Sequence, residues 1–287
     1  MAFLPTQSSE ASYMLIKTLV ENTSIHDSVQ PAHGLSFYIE TNGHKILFDL
    51  GPDDSFEKNA AYLGVDISSV DVVVISHGHA DHGGGLKRFF ELNERAMVYV
   101  QKQAFKKHFS CRPSGEIKFI GLDKALSKNK RIVFVEQHAS IGDSLKIFAD
   151  VSDGQGLPTD NKSLFMEGSQ GVEPDDFIHE QNLVICENDR KVLFLGCAHK
   201  GILNILARFY ELYGRYPDDV LGGFHLYSQS RQTGEPPEKI RQLSELLKEM
   251  NSQFYTCHCT GTEPYQLMKT YMSGQINYLA AGSRLLL

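Results

Sequence analysis

No stretch of the 287 residues approaches the ~20 consecutive apolar residues that a membrane-crossing helix needs, so the sequence predicts no membrane partner. Met1–Ser12 lacks the charged start and apolar centre of a secretory leader and is read as a loose tail. Cysteine is sparse. Cys111, Cys186, Cys197, Cys257 and Cys259 form an odd, widely spaced set, which predicts reduced thiols in a cytoplasmic protein. Positive charge is also short: 28 Lys and Arg stand against 35 Asp and Glu, for a net charge of −7. That balance speaks against a nucleic-acid partner; the run Lys102, Lys106, Lys107 and His108 is read as a solvated face. Several catalytic signatures are missing. The glycines at 83–85 lack the GK[ST] ending of a phosphate loop. Cys257 and Cys259 lack a second cysteine pair at zinc-finger spacing, and no GxSxG elbow occurs.

Ordinary globular composition is present: 41% hydrophobic and 22% charged residues. A core can form without disulfides, and residues 13–287 are read as a single domain. Strand patterns cover 13–20, 35–40, 44–51 and 70–76, with "TNG" between the second and third as a hairpin turn. Apolar residues at helical spacing mark Phe56–Leu63, Leu86–Leu92, Ile202–Tyr213, Glu238–Met250 and Pro264–Met272. Residues 110–180 hold the strand-like "KFIGL", "RIVFVE" and "SLKIFADV", then the polar "SDGQGLPTDNKS", read as a surface loop over the site. The stretch "FYIETNGHKILFDLG" (37–51) is echoed by "LVICENDRKVLFLGC" (183–197). Two readings fit the echo: the general likeness of hairpins, or a two-half architecture in which two β-sheets stack face to face with helices outside.

The chemistry concentrates in "SHGHADHGGGL". His77 and His79 lie two apart, so extended backbone aims both to one side, where they can chelate one ion. Asp81 and His82 follow a turn and can reach a second ion. Imidazole with carboxylate suits zinc, iron or manganese. Gly83, Gly84 and Gly85 would let the backbone turn tightly beneath the metals. In the second half, His199, His225 and His258 each end an apolar run beside small residues.

The HxHxDH pattern resembles the signature of the metallo-β-lactamase superfamily, over roughly residues 13–285. The resemblance implies an α/β fold, a four-layer αββα sandwich, and a metal-dependent hydrolase. It would use a metal-bound hydroxide on an ester, lactone, amide or phosphoester of a small-molecule substrate. It implies one or two Zn2+ ions, with Mn2+ or Fe2+ as alternatives, held by His77, His79, Asp81, His82, His199 and His258. Asp49 in "LFDLG" would orient these ligands, and Asp81 and His225 would move protons. His225 could instead be a ligand. The pattern is broken where many members carry a bridging aspartate after "G": here Cys197 stands there, either a thiolate ligand or a small buried residue. The superfamily's middle histidine has no obvious counterpart; His138 and His179 are the candidates, each read as structural. His33 is expected to touch substrate or steady its loop, and Thr260 to offer a hydroxyl to a bound anion. A homo-oligomer is allowed. "GCAHKGILNIL", "GGFHL" and "CHCTGTEP" resemble a branch that includes dihydropterin ribofuranosyl-aminobenzene phosphate synthases. Redox or transferase chemistry of pterin-related metabolism, or a non-catalytic metal-binding module, are therefore the alternatives.

Overall fold

A computed structural model describes residues 14–41, 43–154 and 156–287. The tail 1–12, Tyr13 of the first strand, Asn42 of the hairpin turn and Gln155 of the polar loop lie outside the described residues. Two seven-stranded sheets form the body. The first runs, edge to edge, Arg284–Leu286, Leu15–Val20, Ser36–Glu40, Lys45–Phe48, Val72–Ile75, Met97–Gln101 and Ile132–Val135. The second runs Ile276–Tyr278, Gln253–Thr256, Asp219–Gly222, Arg190–Phe194, Asn182–Glu187, Leu145–Phe148 and His138–Ile141.

The repeated sequence is a repeated unit. Phe37 pairs with Phe48 in an antiparallel hairpin, as Leu183 does with Phe194. The second strand of each hairpin then leads, through helix, to a parallel neighbour. The ends of the first hairpin turn are closed by Thr41 N–H donating to the His44 carbonyl at 2.9 Å. Buried on both faces, Val72–Ile75 needs no polar alternation.

Between the sheets lies one apolar layer in which Phe37, Phe48, Val72 and Val74 meet Leu183, Ile185, Phe194 and Leu221. Phe48 and Phe194, equivalent in the two hairpins, have ring centroids 5.9 Å apart. Burying one such ring contributes roughly 1.5–3 kcal/mol. Helices Ser55–Tyr62 and Leu86–Leu92 cover the outer face of the first sheet. Ile202–Tyr213, Pro237–Lys248 and Thr262–Met272 cover the second. Ile202, Ile205, Leu206 and Phe209 form the buried stripe of the first of these three, which stops at Gly214 in the left-handed conformation, φ 69°. The four layers expected from the sequence are therefore present. No helix among the described residues is long and apolar enough to cross a membrane.

The middle of the chain departs from expectation. His108–Cys111, Ile117–Phe119, Leu164–Gly168 and Gly171–Pro174 build a separate four-stranded sheet. It leans on the histidine loop, where Ala80 N–H donates to the Ile120 carbonyl at 2.7 Å. Lys102, Lys106 and Lys107 are exposed, but His108 is fully buried, which corrects its reading as part of a solvated face. Strand alternation turns His108 and Ser110 inward. Within the polar loop, Thr159–Ser163 forms a 3-10 turn.

Candidate metal centre

His77 and His79 leave the end of Val72–Ile75 with their rings converging: His77 Nε2 lies 3.0 Å from His79 Nδ1. The remaining nitrogen of His77 is hydrogen-bonded, and that of His79 has no hydrogen-bond partner among the described residues. His77 Nδ1–H donates to Ser76 Oγ at 2.9 Å, and that hydroxyl donates to Asp49 at 2.7 Å. His79 Nε2 faces the Asp175 carboxylate at 4.0 Å. Two nitrogen lone pairs aimed at each other need a cation or a proton between them. His199, whose Nε2 has no partner among the described residues, brings a third ligand nitrogen within 4.8 Å of both.

Asp81 and His82 ride on the short helix Ala80–Gly83. His82 Nε2 lies 3.2 Å from His258 Nε2, 3.2 Å from Cys197 Sγ and 3.7 Å from Asp81 Oδ2. His258 Nε2 is 3.4 Å from the same oxygen. Donors bound to one tetrahedral ion at 2.0–2.3 Å stand about 3.3–3.7 Å from each other, so both donor sets fit a divalent metal. Cys197 joins the sets: its sulfur falls within 4.8 Å of ligand atoms of His77 and His82, of His199 and His225, and of His258 and Cys259. It therefore stands between the two positions, where the superfamily pattern would place the bridging aspartate.

His82, His258 and His199 are each aimed by a hydrogen-bond partner on the far nitrogen. Asp49, fully buried, accepts from His82 Nδ1–H at 2.6 Å and from Ser76 N–H at 2.7 Å. Asn22 and Asn161 act alike on the second half. Asn22 Oδ1 accepts from His258 Nδ1–H at 2.9 Å while its amide donates to the His258 carbonyl at 3.4 Å. Asn161 Oδ1 accepts from His199 Nδ1–H at 3.2 Å while its amide donates to the His199 carbonyl at 2.8 Å. The sequence reading missed both asparagines, because neither lies near its histidine in the chain. It also missed Asp175, which accepts from His108 Nδ1–H at 3.0 Å and His179 Nε2–H at 3.2 Å behind His79. His179 is structural: its Nδ1 accepts from Gly78 N–H at 2.9 Å and pins the HxH loop. His138 is half-exposed and pairs with Asp150 at 2.9 Å, away from the centre.

Burial, then the neighbouring imidazoles, hold His77, His79 and His199 well below the usual histidine value, in the neutral form that ligation requires. Burial would lower His82 too, but Asp49 and Asp81 outweigh it and push it up to about 9. Burial would raise Asp81, yet the surrounding imidazoles hold it well below the usual carboxylate range.

One expectation changes. Thr260 is fully buried and turned away from the cavity: its hydroxyl accepts from Phe224 N–H at 2.8 Å and pairs with Thr256, so it has no hydroxyl to give an anion. Gly83, Gly84 and Gly85 join the short helix Ala80–Gly83 to Leu86–Leu92, with φ of −61° at Gly84 and −71° at Gly85. They also leave room: a Cβ on Gly84 would stand 2.0 Å from the Pro52 carbonyl oxygen. His225 lines the cavity, and its ligand nitrogen lies within 4.8 Å of the ligand atoms of Cys197 and His199, so both of its expected roles, proton carrier and ligand, stay open. Its ring centroid is 4.3 Å from that of His199 with the planes tilted by 55°, and neither ring nitrogen has a hydrogen-bond partner among the described residues.

The centre floors a cavity of about 630 Å³. His33, 3.5 Å from Asp81 Oδ2, stands on one wall, and Lys118 and Phe119 from the small sheet, with Arg112 just after its strand His108–Cys111, form another. Neither Arg112 nor Lys118 has a carboxylate partner among the described residues.

Comparison with known proteins agrees with this geometry. A family model described as the metallo-beta-lactamase superfamily matches residues 29–235. The crystal structure of Tm1679, a metal-dependent hydrolase of the beta-lactamase superfamily, superposes with a TM-score of 0.79 at 30% identity, over 95% of this chain and 98% of that one. The 7,8-dihydropterin-6-methyl-4-(beta-D-ribofuranosyl)-aminobenzene-5'-phosphate synthase of Methanocaldococcus jannaschii is 27% identical over 93% of this chain and 94% of its own. Zn(2+)-bound PqqB from Methylobacterium extorquens shares the fold, with a TM-score of 0.56 at 11% identity over 94% of this chain and 99% of that one.

Proposed function

The chain belongs to the metallo-beta-lactamase superfamily, and on that premise we propose that it is a dinuclear metal-dependent hydrolase of small anionic esters, phosphoesters foremost. The observation that carries this reading is the convergence of His77, His79 and His199 beside Asp81, His82 and His258, with Cys197 between, at the floor of an open cavity. Divalent ions bound there, zinc first among them, would supply an activated water and Lewis-acid polarisation of the scissile group. The protein's own groups do the rest. Arg112 and Lys118, cationic and unpaired, bind the negative charge of the substrate, and Phe119 offers a flat apolar face beside them. His225 takes up or returns a proton at one of its two free ring nitrogens. His33 Nε2, beside Asp81 Oδ2, orients that carboxylate and can contact substrate.

A second reading, synthase chemistry on a pterin-linked ribosyl phosphate, is favoured by the Methanocaldococcus jannaschii relative, which aligns over nearly the whole chain. Both readings place a phosphate against Arg112 and Lys118. The test is hydrolysis of nitrophenyl phosphodiester, phosphomonoester and acetate by protein loaded with zinc or manganese. Arg112→Gln with Lys118→Gln is expected to raise KM for the phosphoesters about 100-fold, two lost charged contacts of roughly 1.4 kcal/mol each, and to leave the acetate unchanged. Equal KM shifts for all three would remove the anionic assignment, and no hydrolysis of any would favour the synthase.

A further inference from the structure

Two of the five cysteines face the centre, and only one of them stands at the superfamily's bridging position. Cys259 directly follows His258 in the 3-10 turn His258–Thr260. Its sulfur, the sulfur of Cys197 and a ligand nitrogen of His258 lie within 4.8 Å of one another, and both cysteines line the cavity. The surroundings are arranged for a sulfur. His225 N–H donates to Cys259 Sγ at 3.3 Å, and a Cβ on Gly223 would stand 2.4 Å from that sulfur, so glycine there leaves it space. Cys257, by contrast, is buried in the apolar layer between the sheets, so the alternation of the CHC segment gives its two sulfurs different surroundings.

We propose that Cys259 is a metal ligand, and that with Cys197 and His258 it makes the second position a two-thiolate centre. Thiolates select soft or borderline ions, so the ion taken here is zinc, or cadmium and cobalt in its place, in preference to manganese or magnesium. Each thiol loses one proton on binding, and no electrons move.

The proposal rests on the dinuclear reading above, and the experiment separates the two. Protein loaded with cobalt alone is expected to show sulfur-to-cobalt charge-transfer absorption. Its intensity should fall by about half in Cys259→Ser and in Cys197→Ser, and vanish in the double variant, while Cys111→Ser and Cys186→Ser keep it whole. Undiminished absorption in Cys259→Ser overturns the proposal. Cadmium NMR of the native protein needs no variant: each thiolate moves the resonance downfield. A two-sulfur position is expected, and a one-sulfur position overturns the proposal while leaving the dinuclear reading intact. Failure to bind either ion sinks both.

Discussion

In the first half of the molecule, the donors His77, His79, Asp81 and His82 leave the end of one strand together; in the second half, His199, His225 and His258 come from the ends of three. The three strands, Arg190–Phe194, Asp219–Gly222 and Gln253–Thr256, are consecutive parallel neighbours in their sheet. Adjacent strands lie about 4.8 Å apart, so sheet order gathers residues that are far apart in the chain. One half is thus a local motif, and the other is a product of topology. The backbone is alike on both sides: Asp49 in the first half and Ala198, His225 and His258 in the second adopt φ of 61°, 54°, 50° and 50°, a left-handed conformation that is strained for non-glycine residues and recurs at functional sites. The supporting partners differ in charge: carboxylates, Asp49 and Asp175, stand behind His82 and His79, whereas amides, Asn22 and Asn161, clamp His258 and His199.

This contrast can be broken by experiment. His79→Ala and His258→Ala should each remove one ion of two, measured by elemental analysis, and lower activity by more than about 100-fold, the upper end of what losing even an outer partner costs. Two ions retained by either variant would mean that His79 and His258 do not serve separate positions. Asp49→Asn should weaken metal affinity by about 10–100-fold, read by competition with a chromophoric chelator. Asn161→Ala and Asn22→Ala should weaken it by about tenfold or less, since a neutral acceptor orients a ring without adding charge. Equal losses would erase the distinction between carboxylate and amide support. The last test is the pH dependence. His82 already gives Nδ1–H to Asp49, so its extra proton sits on Nε2, the ligand atom. Metal must displace that proton below about 9. Affinity should therefore fall about tenfold per pH unit on lowering pH from there, and flatten above it. Thermal stability of the metal-free protein should run the opposite way, because a histidine lifted from 6.5 to about 9 stabilises the fold fully below 6.5 and loses that contribution as pH rises through about 9. Parallel trends would rule out His82 as the titrating ligand.

The two kinds of construction also explain what could be read without coordinates. The HxHxDH segment was legible because one strand end and one short helix fix it locally. The hairpin echo was legible because its pattern repeats around Phe48 and Phe194. His108 looked like part of a basic surface because its partner Asp175 is remote in sequence and belongs to no motif. Thr260 looked available because nothing local reveals that Thr256 and Phe224 claim its hydroxyl. Asn22 and Asn161 went unnoticed for the same reason: a clamp formed between distant loops has no spacing rule.

The strand Arg284–Leu286 pairs with Leu15–Val20, so the edge of the first sheet is supplied by residues made long after its centre. A nascent chain carrying the whole HxHxDH segment would still leave that edge uncovered and lack His199 and His258. Such long-range closure is slow. The ribosome must therefore deliver the chain through His258 before the histidines of the first half can meet all their counterparts, and the strand that closes the edge of their sheet comes later still.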